Sequence, residues 1–329
     1  MHSPIWITES EVVGLLSLEE ALIPLREGIS RLATTDASTF PKAMHAWGGG
    51  SLHSLGAFDP TTGMGCFKNW VNTPNGAVAY LSLFDTEQGK LLAIIEAGAL
   101  GMMRTSGVTA LATDELADPH AEEIAIIGSG RQALHQLGAI ALVRRPRQVR
   151  FWSPTPEKCA AAAINAAERF GVNAIAAESL ESALEGASIV ATVTRAHEPF
   201  LKLEHLAQGT HLNAMGAILP GHAELFPEVL AAAEIIAADS VSGVQRLREL
   251  TDSSVLAPSL GTRVQELSTL LAQKTNGRPA APRLTVFKSV GIGASDLALA
   301  GEVYQRAIKT GGGRSFPAPT STQPRWRRN

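Results

Sequence analysis

Three features of the 329-residue chain carry residue types at spacings that can do chemistry. The first is Ile124-Ala125-Ile126-Ile127 followed by Gly128-Ser129-Gly130-Arg131-Gln132-Ala133, which reads as a buried strand running through Gly-x-Gly-x-x-Ala into a helix. Gly128 permits the tight turn, Gly130 lets backbone approach a pyrophosphate, and Ala133 is small enough for the helix to pack on the strand. The helix N-terminal amides are then aimed at an anion. This context implies a nicotinamide dinucleotide; the alternatives are a glycine turn that binds nothing, or another adenosine cofactor. The second feature is a pair of cations, Lys68 in a strand-like apolar run and Arg104 in a small-residue helix. Both are poor places to leave a cation without an anion. Arg104 can present a planar fork to a carboxylate, and Lys68 a point charge or a proton. The third is a pair of strand-to-turn segments ending in Met215-Gly216 and Ser289-Val290-Gly291, which fall at the carboxyl edge of a sheet, where a nicotinamide sits.

The strand after the glycine loop ends at Ser153-Pro154-Thr155, where an NAD-selective site usually places an acid for the ribose hydroxyls. No acid stands there. Ser153 and Thr155 do not repel a 2′-phosphate, Thr155 can donate to one, and Arg131 can lend positive charge, so NADP(H) is expected, with NAD(H) left open. Arg131 reads equally well as a solvated side chain. Thr105 can hydrogen-bond a phosphate, or bond its own preceding turn.

Positioning these groups requires a particular order of elements. From Glu123, short apolar strands (124–127, 149–152, 174–176, 189–193) alternate with Ala/Leu helices (132–142, 157–170, 180–184), which predicts a parallel sheet with crossover helices. Upstream, about the first 35 residues read as helix with Ser17 as an N-cap. Strands 65–71 and 77–84, a hairpin turn at Asp85–Lys90 and a helix over 97–116 follow, before a break at Asp118-Pro119-His120. Near the C-terminus, 284–290 reads as strand, 296–309 as helix, and the segment from Gly311 as a poorly ordered tail. The fold class is α/β, with a Rossmann-like dinucleotide-binding sheet from Glu123 and an α+β region before it.

Composition excludes several classes. With 28 Lys+Arg against 31 Asp+Glu, the chain lacks the field that a nucleic-acid binder uses, and the basic cluster Arg325, Arg327 and Arg328 reads as a solvated tail. No apolar stretch approaches the roughly 18 residues of a membrane span, and the first residues lack a signal-peptide pattern, so the expected location is cytoplasmic. Two cysteines, Cys66 and Cys159, and nine scattered histidines support neither a disulfide framework nor a metal site.

Taken together, several segments resemble the ornithine cyclodeaminase/mu-crystallin family over almost the whole chain. Besides the glycine loop they are Cys66–Asn72, Met103-Arg104-Thr105, Leu212–Gly216 with Pro220, Glu224 and Leu225, and Val286–Gly291 with Asp296. The resemblance implies a substrate-binding and dimerisation domain over residues 1–118 and 297–329, a Rossmann domain over 119–296, and a homodimer. It also implies that Lys68 and Arg104 bind a substrate carboxylate, with Lys42 where many members carry a third cation; a surface lysine is the plainer reading of Lys42. The expected cofactor contacts are Thr105, Gly128, Ser129, Gly130, Arg131, Gln132, Ala133, Ser153, Thr155, Met215, Gly216, Ser289, Val290 and Gly291, with no metal.

One departure narrows the chemistry. Where the family's cyclodeaminases and alanine dehydrogenases carry an Asp acid/base, this chain has Ile218, which transfers no proton. Imine reduction asks mainly for positioning and electrostatics. The expectation is an NAD(P)H-dependent reductase of cyclic ketimines, of the pyrroline-2-carboxylate or piperideine-2-carboxylate type, acting on a small carboxylate-bearing imino or amino acid. Ornithine cyclodeaminase or alanine dehydrogenase activity, and a non-catalytic mu-crystallin-like ligand-binding role, are the alternatives. Glu224 is expected to cap a helix through Leu230, Asp296 the last helix, and Cys66 to be apolar packing.

Overall fold

The computed structural model describes residues 3–219, 221–245, 264–273, 277–320, 322–324 and 326, so Pro220 and the arginines at 325, 327 and 328 lie outside the described residues. Ile5-Trp6-Ile7 alternates buried and half-buried side chains and forms strand β1 (Ile5–Ile7), which replaces the start of the expected N-terminal helix. Two helices follow, α1 (Glu9–Leu15) and α2 (Leu18–Thr34), each opened by a capping box. At α2 the Glu20 amide donates to Ser17 Oγ at 3.2 Å, and the Ser17 amide donates to Glu20 Oε2 at 2.9 Å.

The chain then builds β2 (Ser38–Thr39), β3 (Ala43–Trp47), β4 (Gly50–Asp59), β5 (Met64–Thr73), β6 (Gly76–Asp85) and β7 (Lys90–Glu96). The turn expected at Asp85–Lys90 joins β6 to β7. In β5 the two-residue period puts Cys66, Lys68 and Trp70 on one face, opposite Ala57, Leu55 and His53 of β4. Helix α3 (Gly98–Leu116) carries Arg104, and its first amides donate to the Glu9 carboxylate, Gly98 at 2.5 Å and Ala99 at 2.7 Å.

Beyond the break at Asp118, strands and helices alternate: β8 (Glu123–Ile127), α4 (Arg131–Val143), β9 (Gln148–Trp152), α5 (Pro156–Phe170), β10 (Asn173–Ala176), α6 (Leu180–Leu184), β11 (Ile189–Thr192) and β12 (Thr210–Ala214). After these come α7 (Pro227–Ala231), β13 (Ile235–Ala238), α8 (Val241–Val244), β14 (Val264–Glu266), α9 (Leu267–Ala272) and β15 (Leu284–Lys288). The strands pair in the order β10-β9-β8-β11-β12-β15-β13-β14, all parallel. Every strand therefore ends at the same edge, and the order reverses beside β8, the place where such sheets bind ligands.

Helix α10 (Gly293–Thr310) leaves the end of β15 and packs against α2, β4 and β5. Residues 314–316, at the start of the expected loose tail, are bound to the first sheet. Strand β16 (Arg314–Ser315) pairs antiparallel with β1, and the Phe316 amide donates to Pro4 O at 3.0 Å. The first sheet thus runs β16-β1-β7-β6-β5-β4-β2, with β3 on β4. One apolar cluster joins Leu25, Leu81, Leu100 and Val303 to Met215 and Phe287, so the core is continuous from the first sheet into the parallel one. The protein is α/β, and among the described residues no helix is long and apolar enough to cross a membrane.

Candidate active site

At the end of β8 the chain turns through Gly128, whose φ of +117° and distance of 3.1 Å from a would-be Cβ to Val193 O admit only glycine. A Cβ on Gly130 would meet nothing within 4 Å, so the loop leaves open space over the start of α4. Ala133 is buried, whereas Arg131 is exposed. This is a cradle that fits a dinucleotide pyrophosphate. Ser129 Oγ lies 2.7 Å from Ser153 Oγ, which lies 3.1 Å from Cys159 Sγ. Thr155 stands at the N-cap position of α5 without a side-chain capping bond. Gln132 Nε2 donates to Met102 Sδ at 3.5 Å, which ties α4 to α3. Thr105 donates its hydroxyl proton to Gly101 O at 2.8 Å, within its own helix.

The edge across from the loop is braced by two buried acids. Glu224 was expected to cap a helix, but α7 begins after Phe226 and has no side-chain cap. Glu224 instead accepts from Thr192 Oγ1 at 2.8 Å, Thr194 N at 2.8 Å, Thr194 Oγ1 at 2.7 Å, Gly216 N at 3.0 Å and Ala217 N at 3.3 Å. It clamps together the turns that follow β11 and β12. Met215, at the start of the second turn, is buried with its Sδ 3.4 Å from Thr109 Oγ1. The second acid, Asp239 after β13, was not singled out from the sequence, although an acid closing the run Ile235–Ala238 is a visible signal. It accepts from Ser289 Oγ at 2.5 Å, Val290 N at 2.9 Å and Gly291 N at 2.8 Å, fixing the turn from β15 into α10.

That turn meets the cations. Gly291 has φ +79°, and a Cβ there would lie 2.8 Å from Arg104 Nη1, so the guanidinium packs on bare backbone. Lys42 Nζ donates to Val290 O at 3.2 Å. Lys68, on the inner face of β5, places Nζ 2.5 Å from Asp296 Oδ1, and Arg104 Nε is 3.3 Å from the same oxygen. The Lys68 and Asp296 side chains are only 4% and 0% exposed. Ile292 is the N-cap residue of α10, and Asp296 faces these cations instead of capping the helix. Burial and the nearby Arg104 push the Lys68 ammonium down to about 8 against the opposing pull of Asp296. Burial and Arg104 likewise lower Lys42. Cys66 is a packed thiol that burial pushes up to about 12.

A cavity of about 320 Å³ opens beside this cluster, lined by Lys42, Val290 and Gly291, by the apolar Phe40, Met44, Leu55, Ile218, Leu219 and Ile292, and by the hydroxyl residues Thr39, Ser240 and Ser242. Its size suits a small molecule. Ile218 is exposed on its wall, and Leu55 is the register partner of Lys68. His53 stacks on Trp70 at 4.5 Å between ring centres, and the Trp70 ring centre lies 5.2 Å from Lys68 Nζ. Among the described residues no cluster of His, Cys, Asp or Glu could hold a metal ion.

The sequence profile of the ornithine cyclodeaminase/mu-crystallin family matches residues 7–311. The chain is 32% identical to a Δ1-pyrroline-2-carboxylate reductase of Bacillus cereus, over 73% of this chain and 74% of that protein. It is 29% identical to the iminosuccinate reductase of Paracoccus denitrificans, over 93% and 97% of the two chains. The crystal structure of that reductase in complex with NAD+ superposes with a TM-score of 0.87 at 27% identity, covering 95% of this chain and 98% of the other. With matching segments, fold and edge geometry in one chain, this protein belongs to the ornithine cyclodeaminase/mu-crystallin family.

Proposed function

We propose that the protein is an NAD(P)H-dependent reductase of cyclic ketimine carboxylates, of the Δ1-pyrroline-2-carboxylate or Δ1-piperideine-2-carboxylate type. The observation that carries this reading is the buried trio at the sheet edge, in which two cations share one carboxylate and leave a surplus positive charge. A monoanionic substrate neutralises that charge. Two relatives named for the reduction of C=N bonds, pyrroline-2-carboxylate and iminosuccinate reductases, support the reaction class.

The loop Gly128–Ala133, with Ser153 and Thr155 beyond it and Met215, Gly216 and Ser289–Gly291 across the edge, holds the dinucleotide. When bound, that cofactor supplies the hydride. The chain does the rest. Arg104 grips the substrate carboxylate with its planar fork, Lys42 adds charge beside it, and Lys68 gives a proton to the imine nitrogen. The apolar wall of Phe40, Met44, Leu55, Ile218, Leu219 and Ile292 packs the carbon ring and excludes water. An aliphatic ring suits the apolar part of this lining. NADP(H) is the preferred cofactor because Ser153 and Thr155 stand where an acid would repel a 2′-phosphate. Residues 1–118 and 297–329 form the substrate-binding and dimerisation domain, 119–296 the dinucleotide domain, and the working unit is a homodimer.

The test is oxidation of NADPH, with NADH in parallel, on adding Δ1-pyrroline-2-carboxylate, Δ1-piperideine-2-carboxylate or iminosuccinate. The cyclic substrates with NADPH are expected to turn over fastest. Inertness toward every imino acid contradicts the reading.

A further inference from the structure

Asp296 is fully buried in the first turn of α10 and meets both cations through one oxygen, Oδ1. Its other oxygen, Oδ2, is equally buried and has no hydrogen-bond partner among the described residues. A buried carboxylate kept only for stability is ordinarily satisfied at both oxygens, because each unmet one carries a desolvation penalty. Nor does Asp296 hold the helix start, where Ile292 is the N-cap residue. Its visible work is to join three elements: β5 contributes Lys68, α3 contributes Arg104, and α10 places an anion between them. The Trp70 ring, 5.2 Å from Lys68 Nζ, closes another side of the ammonium.

We propose that Asp296 is a positioning residue for imino acid reduction, holding Lys68 as an ammonium directed at the imine nitrogen and Arg104 in place for the carboxylate. The inference rests on the function proposed above. As hydride reaches the imine carbon, a C–H bond forms and the C=N π pair moves to nitrogen. Nitrogen then takes the Lys68 proton, so an N–H bond forms as the Lys68 N–H bond breaks. Lys68 is left neutral beside an unchanged Asp296 carboxylate and regains its proton from solvent after product leaves.

The groups facing Lys68 are Asp296 from α10, Arg104 from α3 and Cys66 from its own strand. Burial and Arg104 favour the neutral amine; Asp296 opposes them and holds Lys68 at about 8. Without Asp296 the proton leaves at lower pH.

The experiment compares the pH dependence of kcat/KM in the native protein, Asp296→Asn and Asp296→Glu, with a cyclic imino acid and saturating NADPH. Native activity is expected to fall as pH rises through about 8. In Asp296→Asn the same fall should come at least about one pH unit lower, while Asp296→Glu keeps the native limb at reduced kcat. A lowered kcat with an unshifted limb in Asp296→Asn overturns the proposal, since a merely structural residue gives that result. A second measurement needs no Asp296 variant. In native protein carrying ¹³C-ε-lysine, the Lys68 resonance, identified by its loss in Lys68→Met, is expected to report an ammonium at neutral pH. A Lys68 already neutral there overturns the proposal even if Asp296→Asn does not fold. If the native protein reduces no imino acid, the functional reading fails separately, and the resonance still decides whether Lys68 is held charged.

Discussion

Lys68 and Arg104 were legible in the sequence because a cation in an apolar run announces an unmet need for an anion. The structure places both against Asp296, whose role was hidden because an acid near a helix start has a simpler explanation as a cap. The roles of Asp239 and Glu224 were hidden likewise, since Asp239 bonds turn amides far along the chain and Glu224 bonds Thr194 as well as the nearer Gly216. Gly291 gives a test at this scale. In Gly291→Ala the φ of +79° adds strain of about 1 kcal/mol, and the new Cβ meets the Arg104 guanidinium at 2.8 Å. The expected outcome in steady-state kinetics is a KM for the imino acid raised about tenfold or more. Ile218→Asp, which puts a charge into the wall that packs the carbon ring, is expected to raise the same KM by a similar factor. Equal or improved binding there would count against the apolar wall as the ring's seat.

At the scale of elements, the repeating strand-helix pattern from Glu123 was readable because buried parallel strands are short apolar runs. Strand β3 was not, because every residue in Ala43–Trp47 is exposed and shows no alternation, and β13 and β14 are too short to show a period. The join between the sheets was also invisible beforehand. Arg144, the C-cap residue of α4, donates to Thr113 O at 2.9 Å and Ala117 O at 3.1 Å, closing the end of α3. Beside it, His211 Nε2 donates to Asn213 Oδ1 at 3.2 Å, and Asn213 Nδ2 donates to Thr113 Oγ1 at 3.0 Å. Burial pushes His211 down to about 3, so the folded protein keeps it neutral. In the unfolded chain it takes a proton near pH 6.5, and a group with a depressed folded value makes the unfolded state the better proton binder between those limits. The stability it supports is therefore complete above about pH 6.5 and falls by about 2 kcal/mol on going to pH 5. Denaturant unfolding from pH 7 to 5 is expected to show this loss in the native protein and a shallower slope in His211→Gln. Identical slopes would refute the assignment.

For the whole molecule, the chain returns through α10 and β16 to the sheet on which it began, so Lys42, beside the first sheet, and the turns of the second meet at one cavity. Each side is incomplete alone: Arg104 packs on Gly291, and Lys42 bonds Val290 O. The catalysis proposed for this junction makes substrate binding and cofactor binding separable by mutation. The most direct measurement follows NADPH oxidation with Δ1-pyrroline-2-carboxylate or Δ1-piperideine-2-carboxylate in the native protein and in Arg104→Ala, alongside cofactor binding by fluorescence. The account predicts turnover in the native protein, a loss of kcat/KM of about 100-fold or more in Arg104→Ala, and unaltered cofactor affinity. Undiminished turnover in Arg104→Ala would contradict it.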